Sequence, residues 1–193
     1  MKTKGLKKGI ALFLAAVMTL GLCIIPVPAV QAEEDMQDSG ITITITTDKK
    51  EVKRGDIITL TASLKGIPAD SGIYSTVFKA VYNSSVVEPV KIGNNNWDIE
   101  TGDAIPNNMT VLSNINEDTE DVRVAALDFT MTTFLKDGVL LSGKFKVKED
   151  ASGGAFDFVF PTENDGIQLC NTSGELLPYT LDDQTKGMQV GVP

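Results

Sequence analysis

The oxygen-bearing side chains are the first residues in this sequence to which chemistry can be attached. Asn114, Asn116, Asp118, Glu120 and Asp121 alternate possible ligands along one short run. A calcium loop would use oxygens in this way, but the run lacks the central Gly and closing Glu of an EF-hand, so a solvated acidic turn is the plainer reading. Two carboxylates suffice for glycoside hydrolysis, and the chain has 26 Asp+Glu. Most of these stand beside Asn, Ser or Gly in turn-like stretches, and cleft aromatics are scarce. The reading is therefore a non-catalytic protein with no cofactor and no metal of its own. With 0 His, Ser-His-Asp and Cys-His units, HExxH zinc sites and an imidazole pH switch are all excluded. Trp97, within the polar loop Asn94-Asn95-Asn96-Trp97-Asp98, is the only tryptophan. It is the one ring suited to stacking on a sugar and is the candidate carbohydrate contact, although a lone Trp equally suits a plug at one end of a core. Tyr74, Tyr82 and Tyr179 are scattered and make no strip with it.

The 193 residues hold 17 Lys+Arg, a net charge of -9 and 2 Cys. Four of the lysines, Lys2, Lys4, Lys7 and Lys8, precede an apolar run from Ile10 to Ile25, the layout of a secretory signal. Val30 and Ala32 fit the positions before a cleavage site, which assigns 1–32 to the signal and 33–40 to a short, acidic, disordered lead. Lipidation at Cys23 fits less well, because the large Leu22 precedes it. Removing the signal lowers Lys+Arg from 17 to 13 against the same 26 Asp+Glu. So acidic a chain does not suit nucleic acid, which demands clustered cations. Cys170 is then the one remaining cysteine, and a buried, inert thiol is its ordinary reading. No second apolar span follows, so the exported chain is read as secreted and without a membrane span; it is separately expected to be a monomer. A domain of this length buries enough surface to fold without disulfides or metals.

The elements that would position any site are short strands. Ile41 to Thr47 is an alternation of Ile and Thr, which suits a strand with one apolar and one hydroxyl face. Further strands are predicted over 56–65, 73–82, 86–92, 109–114, 122–131, 138–148, 155–160, 167–170 and 188–192. Arg54-Gly55-Asp56, Gly66-Ile67-Pro68, Lys136-Asp137-Gly138, Ser152-Gly153-Gly154 and Asp165-Gly166 supply turn chemistry between them. No stretch carries helical periodicity beyond about two turns. The predicted class is an all-β sandwich over 41–193.

Three groups of residues carry a resemblance. Val52-Lys53-Arg54-Gly55-Asp56-Ile57-Ile58-Thr59-Leu60 with Leu64-Lys65-Gly66-Ile67-Pro68 resembles the "G-D-x-V-x-V... G-(V/I)-P" opening of the cohesin domains of bacterial cellulosome scaffolds. Ile73 to Tyr82 followed by Asn83-Ser84-Ser85-Val86-Val87-Glu88 is similar to their third strand and the "Y-D-P-x-V-L-E" segment, with Asn83 and Ser84 in place of Asp and Pro. Leu127-Asp128-Phe129-Thr130, Leu135-Lys136-Asp137-Gly138-Val139-Leu140 and Gly143-Lys144-Phe145-Lys146-Val147-Lys148 resemble the fifth strand, the "K-D-G-V-(F/L)" turn and the sixth strand. The resemblance implies a nine-stranded jelly-roll sandwich that binds dockerin modules, borne by glycoside hydrolases, on one flat sheet face. Any calcium would belong to the dockerin, since no D-x-N-x-D-G repeat exists here.

Strand alternation proposes a face for that partner. Phe78, Ala80 and Tyr82 pointing inward leave Val77, Lys79, Val81 and Asn83 outward, and by resemblance Asn83 stands where cohesins carry a contacting Asp, although a plain turn-capping role competes. Leu127 and Phe129 inward send Val124, Ala126, Asp128 and Thr130 outward. Leu141, Phe145 and Val147 inward send out Leu140, Ser142, Lys144 and Lys146. Such a patch measures about 20 Å by 20 Å and serves a partner contact of about 800 Å² per side. The competing structural reading puts Val124 and Ala126 against a second layer or a covering loop.

Overall fold

β-Branched residues and closely spaced turn formers leave this chain little choice but extended structure. The computed structural model describes residues 40–162 and 166–191, with no helix among them. The segment 1–32, read above as an export signal, and nearly all of the expected acidic lead lie outside the described residues. In chain order the strands are β1 (Thr42–Thr47), β2 (Glu51–Lys53), β3 (Ile57–Lys65), β4 (Ile73–Val81), β5 (Val87–Pro89), β6 (Lys91–Ile92), β7 (Asn96–Trp97), β8 (Ile99–Thr101), β9 (Thr110–Asn116), β10 (Asp121–Leu127), β11 (Gly138–Val147), β12 (Gly154–Phe156), β13 (Gln168–Asn171), β14 (Thr180–Asp183) and β15 (Met188–Gly191). One sheet has six strands, ordered β14-β1-β3-β11-β5 with β8 also paired to β11, and the other has four, ordered β13-β4-β10-β9. Two small sheets, β12-β15-β2 and β6-β7, complete a jelly-roll sandwich. The strands described outnumber the nine expected because short pieces such as β6, β7 and β8 pair locally beside the long ones.

Alternation places the core between the two large sheets. Ile43 and Ile45 of β1, Ile58, Leu60 and Ala62 of β3, and Leu141, Phe145 and Val147 of β11 meet Phe78 and Ala80 of β4, Val122, Val124 and Ala126 of β10, and Leu169 of β13. Phe145 is the centre of an aromatic cluster, its ring 4.7 Å from Phe158, 5.1 Å from Trp97 and 5.6 Å from Tyr82. Trp97 is fully buried (0% exposed) and its Nε1–H donates to the Lys144 carbonyl at 2.8 Å. Gly143 makes room for it: a Cβ at Gly143 would lie 2.1 Å from Trp97 Cζ2. Trp97 is therefore a core plug and not a sugar platform, a correction to its candidacy as a carbohydrate contact.

The quoted motifs meet at turns. Gly66 adopts φ 79, open to glycine, and Asp137 of the Lys136-Asp137-Gly138 turn accepts the N–H groups of Gly66 (3.0 Å) and Ile67 (2.8 Å). These two bonds hold the Asp137 carboxyl below its ordinary pKa.

Candidate functional site

Each large sheet turns one face to the core and one outward, and the two outward faces differ in chemistry. On the six-stranded sheet the outward rows are Thr42, Thr44 and Thr46 of β1, Thr59, Thr61 and Ser63 of β3, and Ser142, Lys144 and Lys146 of β11, with Ile57 and Val139 as apolar residues at the strand ends. This is a hydroxyl and lysine surface, in which Thr61 and Ser142 hydrogen-bond at 3.1 Å.

On the four-stranded sheet β4 presents Ser75, Val77, Lys79 and Val81, while β10 presents Asp121, Arg123, Ala125 and Leu127. Register aligns them in rows: Gln168, Val77, Ala125 and Leu112 form one, and Ser75, Leu127 and Thr110 the next. A third row joins Val81 to Asp121 and Asn116, and Val159 extends it through a bridge to Val81. Val159 is 58% exposed. The face therefore has an apolar middle of Val77, Leu112, Ala125 and Leu127, which are partly exposed. Lys79, Asp121 and Arg123 sit beside it. The fully buried Asp121 carboxylate accepts from Arg123 Nε at 3.1 Å and from the Thr119 hydroxyl at 2.6 Å, with Lys79 Nζ at 3.7 Å. This fixed network points two cationic side chains across the sheet, and a buried carboxylate so bonded holds them in one arrangement. The nearby Tyr82 hydroxyl, buried and surrounded by Glu117, Glu120 and Asp121, has its pKa pushed up to about 12.

The sequence-predicted face divides accordingly. Val77, Lys79 and Val81 lie on this outward face, with Asn83 exposed just past its end. Asn83 Oδ1 accepts the Ser85 N–H (3.0 Å) and hydroxyl (2.6 Å), so it caps the turn after β4. Val124 (2% exposed) and Ala126 (0%) point the other way, into the core, because β10 runs in the opposite phase to that expected; Arg123, Ala125 and Leu127 take the outer side. Phe129, expected inside, is exposed, because the strand ends at Leu127. Asp128 is buried in a turn, where its carboxylate accepts the N–H groups of Thr130 (2.9 Å), Thr132 (2.9 Å) and Thr133 (2.8 Å) and the Thr130 hydroxyl (2.7 Å). The Thr130 bonds foremost hold that carboxyl far below its ordinary range. Thr130 is thus an exposed turn residue, off the sheet. Leu140 is buried, because a bulge between Val139 and Leu141 lets consecutive leucines both enter the core. Ser142 faces outward, but on the opposite sheet, where β11 belongs.

Sequence reasoning missed Leu112, Ala125, Leu127 and Val159. Arg123 was the available signal, since a charged residue in a strand otherwise made of Val, Ala and Leu marks the solvent side. The acidic run 114–121 forms the end of β9 and its hairpin turn, where Asn116 Oδ1 accepts from the Asp118 N–H at 3.1 Å. Among the described residues no cluster of His, Cys, Asp or Glu is arranged to hold a metal. Cys170 is buried, its thiol directed at the Asn171 carbonyl 3.7 Å away.

No curated protein matches this chain. Solved structures do. The second type II cohesin module from the adaptor ScaA scaffoldin of Acetivibrio cellulolyticus matches with a TM-score of 0.60 and 16% identity, over 79% of this chain and 88% of that one. Type II cohesin A11 from Bacteroides cellulosolvens gives 0.59 and 16%, over 77% and 98%. The type I cohesin–dockerin complex Coh-OlpC-Doc435 from Clostridium thermocellum gives 0.57 and 16%, over 78% and 94%. At these identities the likeness concerns the fold. A family model for the cohesin domain matches residues 41–166, and on that match the chain belongs to the cohesin domain family.

Proposed function

We propose that this chain is a non-catalytic module that binds a dockerin domain on the outward face of its four-stranded sheet, for assembly of a cellulosome-type complex. Cohesin domains are interaction modules without catalysis. The observation that carries the choice of face is the contrast between the two sheets: the middle of one outward face is Thr, Ser and Lys, with Ile57 and Val139 only at strand ends, while the middle of the other holds Val77, Leu112, Ala125 and Leu127 beside a fixed Lys79–Asp121–Arg123 network. Interface centres favour apolar surface free of mobile charge, with Arg enriched. Solved relatives supply a parallel, since the OlpC cohesin was crystallised with a dockerin. In this reading the export signal delivers the chain outside the cell. It then acts as a monomer, and its partners are dockerin-bearing glycoside hydrolases, with any calcium bound by the dockerin.

Isothermal titration of the chain from Glu33 onward, against dockerin modules of its host, tests this. Saturable one-to-one binding in calcium, lost on chelation, is expected. Absence of binding to every dockerin of the host overturns the reading.

A further inference from the structure

Between β10 and β11 the chain runs Phe129-Thr130-Met131-Thr132-Thr133-Phe134-Leu135, seven residues without a charge in a strongly acidic protein. Phe129 is 62% exposed, Met131 47% and Phe134 39%, three of the large apolar side chains left on the described surface. Only Leu135 turns inward. An isolated exposed apolar residue needs no explanation, but three within six positions do.

The loop is not a slack connection. Asp128 gathers three of its N–H groups, as described above, and Asn108 hydrogen-bonds Thr133. At its two ends Asp128 N–H donates to the Tyr74 carbonyl (2.9 Å) and Leu135 N–H to the Ile73 carbonyl (2.8 Å). Both anchors are at the start of β4, so the loop is fixed to one end of the four-stranded sheet, continuing from the outward Leu127. Its backbone is already ordered, and binding there loses little conformational entropy.

Continuity indicates the occupant. The loop leaves the outward row at Leu127 and is tied to the start of β4, so it adjoins the rim of the face proposed for the dockerin, and it is uncharged, apolar and preordered. We infer that the loop 129–134 is a second part of the same dockerin contact, with Phe129 and Phe134 seated against apolar surface of the dockerin beyond the edge of the sheet. This inference rests on the function proposed above.

The test compares dockerin affinity for the chain from Glu33 onward, a Phe129→Ser/Phe134→Ser double variant and the sheet-face variant Ala125→Arg, with thermal unfolding and retention on cellulose measured for each. Both phenylalanines are exposed, so unchanged melting is expected, and the single variants repeat the comparison if the double one melts early. The expected result is dockerin binding by the parent chain, weakened roughly 10- to 100-fold in the double variant, as for removal of aromatic anchors. Affinity within twofold of the parent, while Ala125→Arg abolishes binding, overturns the loop contact and leaves the sheet reading standing. Unchanged dockerin affinity with lost retention on cellulose makes the loop a sugar contact and overturns it as well. A parent chain that binds no dockerin overturns both readings together.

Discussion

Ala125 and Ala126 are neighbours on β10 with opposite fates, and arginine at each position gives opposite results. Ala126 is fully buried, paired in register with Thr76 on one side and Val111 on the other. The inward residues around it are Phe78, Val122, Val124 and Leu169, none of which can pair a cation. Ala126→Arg therefore buries a charge without a partner, at a cost of several kcal/mol, and overfills a packed core at roughly 1–3 kcal/mol more. The sum approaches the about 5–15 kcal/mol that holds a typical domain folded. At about 2–4 °C per kcal/mol for a domain of this size, the melting temperature falls by more than about 10 °C, or the protein does not fold. Ala125 is on the outward face between Val77 and Leu112. Ala125→Arg changes stability by no more than about 0.5 kcal/mol, a shift of about 2 °C or less. Thermal unfolding followed through Trp97, the only tryptophan, measures both. An Ala126→Arg variant melting within about 2 °C of the parent, or an Ala125→Arg variant that fails to fold, refutes the assignment of strand phase.

Further predictions use the same domain. The Thr76 hydroxyl is buried with no hydrogen-bond partner, so Thr76→Val is expected to stabilise by about 1 kcal/mol, read as a rise in melting temperature. Gly143→Ala places a methyl against the Trp97 ring, costing about 1–3 kcal/mol and shifting Trp97 emission to the red in the folded state. Asp128 and Asp137 have folded pKa values below the ordinary 3.8, so each stabilises the fold above the ordinary value and loses that contribution as pH falls through and below it. Melting temperature is expected to drop between pH 5 and pH 3, and to drop less in Asp128→Asn; an equal drop contradicts the role of the Asp128 turn.

Legibility in the sequence followed how sharply each strand separated its two faces. β1 alternates Ile with Thr, and the structure buries Ile43 and Ile45 while Thr42, Thr44 and Thr46 face out. β4 was equally plain, since Phe78 and Ala80 alternate with Lys79 and fix the phase. β10 reads Asp-Val-Arg-Val-Ala-Ala-Leu, and its outer face is itself apolar at Ala125 and Leu127, so hydrophobicity carries no phase there. Extending the strand to Phe129 then locked in the wrong one, where Arg123 alone pointed to the right one. β11 was misread for a different reason. The bulge at Leu140 shifts the alternation locally, and the chain crosses from one sheet to the other over 128–137, which no local pattern records. β14 and β2 escaped notice because each is short and holds one apolar residue, Leu181 in Thr-Leu-Asp-Asp and Val52 in Glu-Val-Lys, so neither shows an alternation.

The face assignment is tested most directly by placing the same arginine on each sheet in turn. Ala125→Arg stands on the outward face of β10 and Ser142→Arg on the outward face of β11, in the opposite sheet. Titrated with one dockerin in calcium, Ala125→Arg is expected to lose about 100-fold or more in affinity, equivalent to about 2.7 kcal/mol, while Ser142→Arg stays within about twofold of the parent. Loss of binding in Ser142→Arg with full binding by a folded Ala125→Arg contradicts the account and moves the contact to the six-stranded sheet.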